Sequence, residues 1–397
     1  MAEANETADV LGLLVDQSHR ARGDDLPLLC RTAARALGAR ELVVYVVDYG
    51  QRVLLPVNDP AGPTRETVSI EGTVAGRAFS EVADRYVAAE CDAVRLWLPM
   101  LNGTERLGVV EMVFDELDDP TRSRCRQVAG LLAELILTRR LYGDSLEVLR
   151  RLRPMALEAE MQWNLLPPLS FATGQVVVSG ILEPSYDVAG DAFDYAVNGD
   201  IAHVAVFDAV GHGFEASLLA SVAMAAYRNA RRSGLNLPDT YRSMNKWIAN
   251  KFPERFVTSI LAELDTRTGN YRWVNAGHHP AMLVRDAQVV KMLDAAPDLP
   301  LGLEPSQPTV ASEQLQPDDR ILLYTDGVVE ARDEAGEFFG LPRLADLFTR
   351  ACADQRPAPE TMRRLNHAVL DHQHGDLQDD ATMLLLEWSR GAADALA

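Results

Sequence analysis

Seven aspartates of this sequence stand at or near points where predicted strands begin or end. They are Asp187, Asp191, Asp194, Asp208, Asp326, Asp379 and Asp380. Asp208 and Asp326 each end an apolar run, with Gly211 three residues after Asp208 and Gly327 directly after Asp326, whereas the pair Asp379-Asp380 precedes an apolar run. If the fold brings several of these carboxylates together, their burial and mutual repulsion are costly unless a cation is bound between them.

Such a carboxylate cluster favours a particular class of metal. Oxygen ligands without a histidine or cysteine partner select Mg²⁺ or Mn²⁺ over Zn²⁺. Two such ions about 3.5–4 Å apart, sharing a bridging carboxylate, activate a water molecule and hold phosphate oxygens. The aspartates therefore indicate a centre for phosphate-ester hydrolysis. Taken singly, an aspartate before glycine is also typical of an ordinary turn, and His212 and His278 are equally compatible with loop or core positions.

The composition narrows the class of protein. The 397 residues include 38 basic and 58 acidic side chains, and the net charge of −20 disfavours a nucleic-acid partner. Cys30, Cys91, Cys125 and Cys352 form no CxxC pair, which indicates reduced thiols. The N-terminus lacks the pattern of a signal peptide, and no apolar run approaches the roughly 20 residues of a membrane span. We therefore expect a cytoplasmic protein.

The first part of the chain predicts a small α/β domain with an antiparallel sheet. Apolar periodicity predicts helices over 10–20, 26–37 and 73–80, and β-branched runs predict strands over 41–47, 52–57, 95–100 and 107–114. The dipeptide Asn102-Gly103 indicates a hairpin turn between the last two strands.

A helical segment follows from Thr121. Apolar residues recur at spacings near 3.5 and predict one long helix up to Pro154, with a second piece over 156–166. They are Val128, Leu131, Leu135, Tyr142, Leu146 and Leu149. Either this helix packs onto its own domain, or it forms a coiled-coil seam that mediates dimerisation. Because it joins two domains, we favour the signalling and dimerisation role.

The remainder predicts a second α/β domain in which strands outnumber helices. Predicted strands cover 175–184, 201–208, 257–265, 271–275, 281–285, 321–324 and 382–388, and predicted helices cover 215–231, 239–251 and 360–370. A layered sandwich is the expected architecture.

Six motifs occur in a fixed order in this second domain. They are Asp187-Val-Ala-Gly-Asp191, Phe207-Asp-Ala-Val-Gly-His-Gly213, Asn275-Ala-Gly-His-His-Pro280, Leu299-Pro-Leu-Gly302, Leu323-Tyr-Thr-Asp-Gly-Val-Val-Glu-Ala-Arg332 and Asp379-Asp-Ala-Thr382. Together they resemble the bacterial branch of the metal-dependent (type 2C) protein phosphatases, typified by the sporulation stage II E and stress-regulator phosphatases. The resemblance covers residues 165–388 and implies an αββα two-sheet β-sandwich.

The resemblance implies a role for five of these positions. Asp208 resembles the carboxylate that bridges two metal ions, and the backbone carbonyl of Ala209 resembles an adjacent ligand. Asp326 and Asp379 resemble ligands of the first metal. Asp191 resembles the acidic residue at the edge of the site, which serves a metal directly or through water.

Other positions resemble supporting residues of the family. Asp194 is expected to hold its loop, Asp380 to orient the last strand, and His212 to contact the substrate. The chain departs from the usual family pattern at Ala189, His212 and Asp318, where glycine, lysine and glycine are frequent. None of these departures removes an expected metal ligand.

The N-terminal domain resembles a GAF sensor domain, although its ligand cannot be assigned. The resemblance rests on Val68–Phe79 and on Trp97-Leu-Pro-Met-Leu-Asn-Gly103 leading to Leu107-Gly-Val-Val110. The expected layout is a GAF-like sensor at 1–120, a helical linker at 121–166 and a phosphatase domain at 167–390, forming a homodimer through the sensor and linker. A ligand-free dimerisation domain is the alternative for the first segment.

The implied reaction is direct attack of a metal-activated water on phosphoserine or phosphothreonine, with two Mn²⁺ or Mg²⁺ ions and no phosphoenzyme. In relatives of this layout the substrate is often a phosphorylated anti-sigma-factor antagonist. The alternatives are a catalytically silent, phosphatase-like binding module and an enzyme acting on a small phosphate ester. The presence of Asp208, Asp326 and Asp379 favours an active enzyme.

Overall fold

The chain divides into two compact units, with the boundary between Pro154 and Met155. The structure is a computed structural model and describes residues 2–90, 92–187, 190–303, 307–374 and 379–389. Among these residues no helix combines the length and apolar character needed to cross a bilayer. Cys30, Cys125 and Cys352 are free thiols, and Cys91 lies outside the described residues.

The first unit has one six-stranded sheet with helices on both faces. Its helices are α1 (Ala2–Ser18), α2 (Leu26–Leu37), α3 (Val74–Glu81), α4 (Asp119–Arg139) and α5 (Ser145–Leu149). Its strands are β1 (Glu41–Val47), β2 (Val53–Pro56), β3 (Val68–Ser69), β4 (Arg85–Ala88), β5 (Val94–Asn102) and β6 (Glu105–Phe114). The strand order is β3-β2-β1-β6-β5-β4, with every neighbouring pair antiparallel.

Successive side chains of a strand point to opposite faces of the sheet, so each face of this sheet packs against its own set of helices. Leu42, Val44 and Val46 of β1 pack in a core with α1, α2 and α4, whereas Tyr45 and Val47 face α3. The predicted hairpin is confirmed, with Asn102 pairing with Glu105 across the turn. A small antiparallel α/β unit is therefore what the sequence predicted.

The prediction of one long helix up to Pro154 is wrong. Helix α4 ends at Arg139, a 3₁₀ turn follows, and Gly143 takes an extended conformation before α5. Val128, Leu135 and Leu146 are buried in the core of the first unit. The expected coiled-coil seam is therefore wrong for these residues, because their apolar side chains pack against their own sheet and helices.

The residues after α5 also contact the first unit. The Nε of Arg150 donates to the carbonyl of Val47 at 3.0 Å, and its guanidinium lies 4.4 Å from the centre of the Tyr49 ring. Tyr49 in turn donates to the Glu147 carboxylate. The interval predicted as a separate linker, 121–166, is thus divided, with its larger part in the first unit and α6 in the second.

The second unit is built from two antiparallel sheets. Its helices are α6 (Leu157–Leu165), α7 (Gly213–Arg232), α8 (Leu237–Lys251), α9 (Asp326–Val329), α10 (Leu341–Ala353) and α11 (Ala358–His372). Its strands are β7 (Ser170–Ala172), β8 (Val176–Glu183), β9 (Asp191–Asn198), β10 (Ile201–Ala209), β11 (Val257–Asp265), β12 (Asn270–Ala276), β13 (Ala281–Arg285), β14 (Gln288–Leu293), β15 (Ala311–Gln314), β16 (Asp319–Tyr324) and β17 (Ala381–Trp388).

The two sheets pack face to face and are covered by helices on their outer faces. Sheet one has the order β15-β12-β11-β10-β9, and sheet two has the order β14-β13-β16-β17-β8-β7. Val204 and Val206 of β10 pack against Leu384 and Leu386 of β17 in the core between the sheets. Helices α7 and α8 cover sheet one, and α10 and α11 cover sheet two. The predicted two-sheet sandwich flanked by helices is confirmed.

Candidate metal centre

Sheet one contributes a row of polar side chains at one end of the inter-sheet layer. Asp208 of β10 pairs with Asp191 of β9 on one side and with Thr258 of β11 on the other. Directly paired residues point to the same face of a sheet. Phe193 and Val206 lie two residues away on β9 and β10 and pack between the sheets, so this row faces sheet two.

Sheet two supplies the other carboxylates at the same end. Asp326 is the first residue of α9, directly after β16, and Asp379 and Asp380 precede β17. Thr325 links the two sheets: its hydroxyl donates to Asp191 Oδ2 at 2.6 Å and accepts the backbone N–H of Thr382 at 2.9 Å. The predicted ligands Asp191, Asp208, Asp326 and Asp379 therefore belong to one acidic cluster.

The charges of this cluster perturb one another. Burial, followed by the negative charges of Asp326, Asp379 and Asp380, raises the pKa of Asp208 to about 7. Burial, followed by the charges of Asp208 and Asp380, places the pKa of Asp191 well above its ordinary value. Burial and nearby acidic groups also raise the pKa of Asp379. The fold thus holds several carboxylates close enough to oppose one another's ionisation.

Asp380 forms hydrogen bonds with the backbone at the start of β9. Its carboxylate accepts the backbone N–H of Gly190 at 2.6 Å and that of Asp191 at 3.3 Å. It therefore fixes the start of β9 beside the start of β17, so the side chain orients the Asp191 loop as well as the last strand. Gly190 is needed here because a Cβ at this position would lie 2.7 Å from the carbonyl oxygen of Ala209.

Asp194 lies outside the cluster. It is 1% exposed and accepts hydrogen bonds from Arg228 and Arg231 of α7 at 2.6–2.9 Å. It holds helix α7 on sheet one rather than a loop, because both arginines project from that helix. A buried carboxylate with two guanidinium partners is a structural ion pair.

Ala209 and His212 lie next to the cluster along the chain. The buried Ala209 donates its N–H to the carbonyl of Gly190 at 3.0 Å. His212 is exposed at the N-terminal boundary of α7 and forms no hydrogen bond, ion pair or ring contact with the described residues. The metal-ligand role of Ala209 and the substrate-binding role of His212 remain predictions.

His278 is a buried histidine with both ring nitrogens engaged. Nε2 lies 3.1 Å from the carbonyl oxygen of Tyr324, and Nδ1 lies 2.6 Å from the Thr258 hydroxyl. Burial lowers the pKa of His278 to about 4, so the ring is neutral at pH 7. A carbonyl can only accept, so Nε2 carries the proton and Nδ1 accepts from Thr258. Thr258 therefore donates to His278 rather than to Asp208 Oδ2, which is 3.5 Å away.

Sequence reasoning missed His279 and Glu330. One donor atom from each of His279, Asp326 and Glu330 lies within 4.8 Å of the others. His279 follows the buried His278 in a motif that had been noted, and Glu330 stands four residues after Asp326. The four-residue spacing between Asp326 and Glu330 becomes informative only when a helix is known to start at Asp326, because helical residues four apart share a face.

This arrangement fits divalent cations. The donor atoms are carboxylate oxygens at one end of the sandwich, which are the ligands that Mg²⁺ and Mn²⁺ prefer. The charged neighbours that raise the pKa of Asp208 are all carboxylates, so a bound cation would relieve a repulsion that the fold itself creates.

Comparison with known proteins finds a family that is similar to most of the second unit. Residues 198–389 match the family model described as stage II sporulation protein E (SpoIIE). The chain is 25% identical over 260 residues to protein IcfG of Synechocystis sp., covering 57% of this chain and 40% of that protein. It is 24% identical over 211 residues to phosphoserine phosphatase RsbU of Bacillus subtilis, covering 53% of this chain and 62% of that protein. The chain thus spans less than two thirds of either relative.

A solved structure shows the same fold. The PP2C domain of SiaA from Pseudomonas aeruginosa matches with a TM-score of 0.51 at 20% identity, covering 58% of this chain and 94% of that chain. This similarity concerns the fold of the second unit, whose sheets and flanking helices are described above. Residues 198–389 are therefore similar in sequence to the stage II sporulation protein E family, and the second unit has the fold of the SiaA PP2C domain.

Proposed function

We propose that the second unit is a divalent-metal-dependent protein serine/threonine phosphatase. The observation that carries this proposal is the convergence of Asp191, Asp208, Asp326 and Asp379, from four separate chain segments, at one end of the sandwich. Asp208 is electrostatically coupled to the carboxylates of both sheets, which is the position expected of a residue that bridges two ions. We propose two Mn²⁺ or Mg²⁺ ions held by these four side chains and the carbonyl of Ala209.

The residues of the chain would hold and orient the reacting groups. When bound, the ions would neutralise the carboxylates, lower the pKa of a coordinated water and bind phosphate oxygens. Asp208 would fix the spacing between the ions. Thr325 and Asp380 would keep Asp191 in place through their hydrogen bonds. His212, exposed at the start of α7, would contact the substrate beside the site.

The proposed substrate is a phosphoserine or phosphothreonine residue of a protein. Support comes from the similarity to RsbU, which is named a phosphoserine phosphatase. A phosphorylated anti-sigma-factor antagonist is the partner that we propose. The excess of acidic residues is compatible with a protein substrate and disfavours nucleic acid.

We propose that the first unit is a GAF-like sensor that regulates the second. Its single sheet with α3 on one face and α1, α2 and α4 on the other is compatible with this assignment. We also propose that the protein forms a homodimer through this unit and that it is located in the cytoplasm.

The decisive experiment measures release of phosphate from a phosphoserine peptide by the full-length protein with Mn²⁺, with Mg²⁺ and with EDTA. We expect metal-dependent turnover that Asp208→Asn reduces by at least about 100-fold, since the substitution removes a ligand central to charge stabilisation. Asp286→Asn is the matched control, because Asp286 is an exposed carboxylate on the β13–β14 turn.

The outcomes separate the alternatives. Turnover that survives Asp208→Asn would show that the metal-bridge assignment is wrong. Metal binding without turnover on any phosphopeptide would favour a silent binding module. Turnover of p-nitrophenyl phosphate or another small ester, but of no phosphopeptide, would favour a small-molecule phosphatase.

A further inference from the structure

Two adjoining cavities lie in the first unit, beside the loop of residues 57–65 that follows β2. The first, here called the arginine cavity, has a volume of about 330 Å³ and is bordered by α2, the start of β1 and this loop. The second, here called the α5 cavity, has a volume of about 400 Å³ and is bordered by α5, the end of β2 and the same loop. Pro27, Val57 and Asn58 line both cavities. Each volume is in the range of small-molecule binding sites.

The floor of the arginine cavity is apolar and belongs to the buried core. Cys30 and Ala34 of α2 and Leu42 of β1 line it, and each is 4–6% exposed. These residues pack in the core on the α2 face of the sheet, so the cavity lies on the face opposite α3. A buried apolar floor keeps water from one side of an occupant, which strengthens the electrostatic contacts of that occupant with charged groups at the rim.

The rim of the arginine cavity is positively charged, although the protein has a net charge of −20. Four basic and two acidic residues line the cavity: Arg31, Arg35, Arg40, Arg65, Glu41 and Asp59. Arg40 also pairs with Asp115 outside the lining, which reduces the excess to one positive charge. Arg35 accounts for this excess, because its exposed side chain forms no hydrogen bond or ion pair with the residues that the structure describes. The cavity therefore has the charge to accept one monovalent anionic group.

Two of the paired arginines also retain donors. Arg31 of α2 pairs with Asp59 of the loop through Nη1, and Arg65 pairs with Glu41 of β1 through Nη2. Within the described part of the chain, the other nitrogens of these two guanidinium groups have no acceptor. A guanidinium carries five N–H donors in a planar fork that fits a carboxylate. Both arginines can therefore bind an anion without giving up their ion pairs.

The wall formed by the loop is held in place by its own hydrogen bonds. Asn58 Oδ1 accepts the backbone N–H of Arg65 at 2.7 Å, which joins the two ends of the loop. Asp59 Oδ1 accepts the backbone N–H of Ala61 at 2.9 Å. Together with the ion pairs to α2 and β1, these bonds preform the cavity, which lowers the entropic cost of binding a ligand.

We propose that the arginine cavity binds a small organic acid, whose carboxylate pairs with Arg35 and Arg65 and whose apolar body lies on the Cys30 and Ala34 floor and extends toward the α5 cavity. Helix α5 is followed within a few residues by Pro154, the boundary of the first unit, so the ligand lies beside the segment that leads to the second unit. The inference deepens the proposed sensor function, and it rests on that function only in calling the ligand a signal.

The test is titration calorimetry of 1-naphthoate, an aromatic carboxylate, into the full-length protein in EDTA. EDTA prevents the probe from binding to a metal ion in the second unit. We expect one saturable site with a Kd below about 1 mM, the weak end for a ligand of this size. The neutral amide 1-naphthamide has nearly the same shape and should bind at least about tenfold more weakly, since it cannot form charge-assisted hydrogen bonds with the arginines.

Charge-removing variants locate the site. Arg35→Gln should weaken 1-naphthoate binding about threefold or more, as expected for an exposed ion pair, and it should fold normally because Arg35 has no partner in the described part of the chain. Arg35→Gln combined with Arg65→Gln should weaken binding at least about tenfold. Arg77→Gln is the matched control, because Arg77 is an exposed arginine of α3 on the opposite face of the sheet, and its affinity should be unchanged.

Three outcomes would overturn the inference. These are the absence of saturable 1-naphthoate binding, equal affinity for 1-naphthamide, or equal effects of Arg35→Gln and Arg77→Gln. Metal-dependent phosphatase turnover in a protein that does not bind 1-naphthoate would refute this site and leave the proposed phosphatase standing. Arginine-dependent binding in EDTA by a protein without turnover would support this site and count against the phosphatase.

Discussion

Asp208 makes one contribution to the pH dependence of the stability of the metal-free protein. Its pKa is raised to about 7 in the folded chain, from 3.8 for an ordinary aspartate, because of burial and neighbouring carboxylates. A raised pKa means that the folded state binds the proton more tightly than the unfolded state does. The stabilisation is therefore complete below about pH 4 and is lost as the pH rises through 7.

Ionisation of Asp208 should lower the melting temperature of the metal-free protein between pH 5.5 and pH 8, against the opposite contribution of the buried, neutral His278. In Asp208→Asn this pH-dependent loss should be smaller, because the amide cannot ionise. Thermal melts in EDTA at both pH values measure the difference, with Asp286→Asn as the control. An equal loss in Asp208→Asn and in the unmodified protein would contradict the prediction.

At the residue scale, the carboxylates could be predicted and their partners could not. Asp208, Asp326 and Asp379 stand at strand ends, so local pattern and the family motifs identify them. Thr325 and Thr258 contact the cluster only because residues 134 and 50 positions away are brought beside them. Such contacts follow from strand pairing and from the packing of the two sheets, which cannot be predicted from the spacing of residues along the chain.

The position of helix α9, and with it that of Asp326, depends on a close contact between Gly327 and the backbone of Asp380. A methyl group at Gly327 would overlap the carbonyl oxygen of Asp380, and backbone on both sides prevents relief by a side-chain rotation. We expect Gly327→Ala to destabilise the protein by about 1–3 kcal/mol, the usual cost of an overpacked site. Urea denaturation measures this value.

The same substitution should also weaken metal binding, because it moves α9 away from the start of β17. Gly174→Ala is the matched control, since an added methyl group there meets nothing within 4 Å. Its free energy of unfolding and its Mn²⁺ affinity should stay close to those of the unmodified protein. Equal effects of the two substitutions would refute the role given to Gly327.

At the element scale, the sequence analysis missed strands in which polar or exposed residues interrupt the apolar pattern expected of a buried strand. Strand β9 was missed because it contains Asp191 and Asp194, and the arginines that neutralise Asp194 come from α7. Strand β14 was missed because its first four residues are exposed. Asp318, which replaces the glycine frequent in the family, takes a φ of +70°, so the backbone of the usual turn is retained.

The whole molecule consists of two units with separate cores. Leu132 is fully buried in the core of the first unit, and Leu323 is fully buried between the sheets of the second. We expect two unfolding transitions in urea. Leu132→Ala should shift one of them and Leu323→Ala the other, each by about 2–5 kcal/mol.

Fluorescence and circular dichroism during urea denaturation distinguish the two transitions. Leu13→Ala serves as a control, because this side chain is 42% exposed and its truncation should shift neither transition appreciably. If Leu132→Ala and Leu323→Ala shift a single common transition, the units unfold as one and the assignment of independent stability is wrong. The sequence predicted two domains, but it placed α4 in a linker that the first unit in fact incorporates into its core.

The single proton of the Thr258 hydroxyl has one further consequence. Because that proton is donated to His278 Nδ1, Thr258 does not donate to Asp208, whose Oδ2 lies 3.5 Å away. A carboxylate kept open in this way can offer one oxygen to each of two cations at once. If Asp208 bridges two ions as proposed, the buried, neutral imidazole of His278 would keep both carboxylate oxygens free of the Thr258 donor.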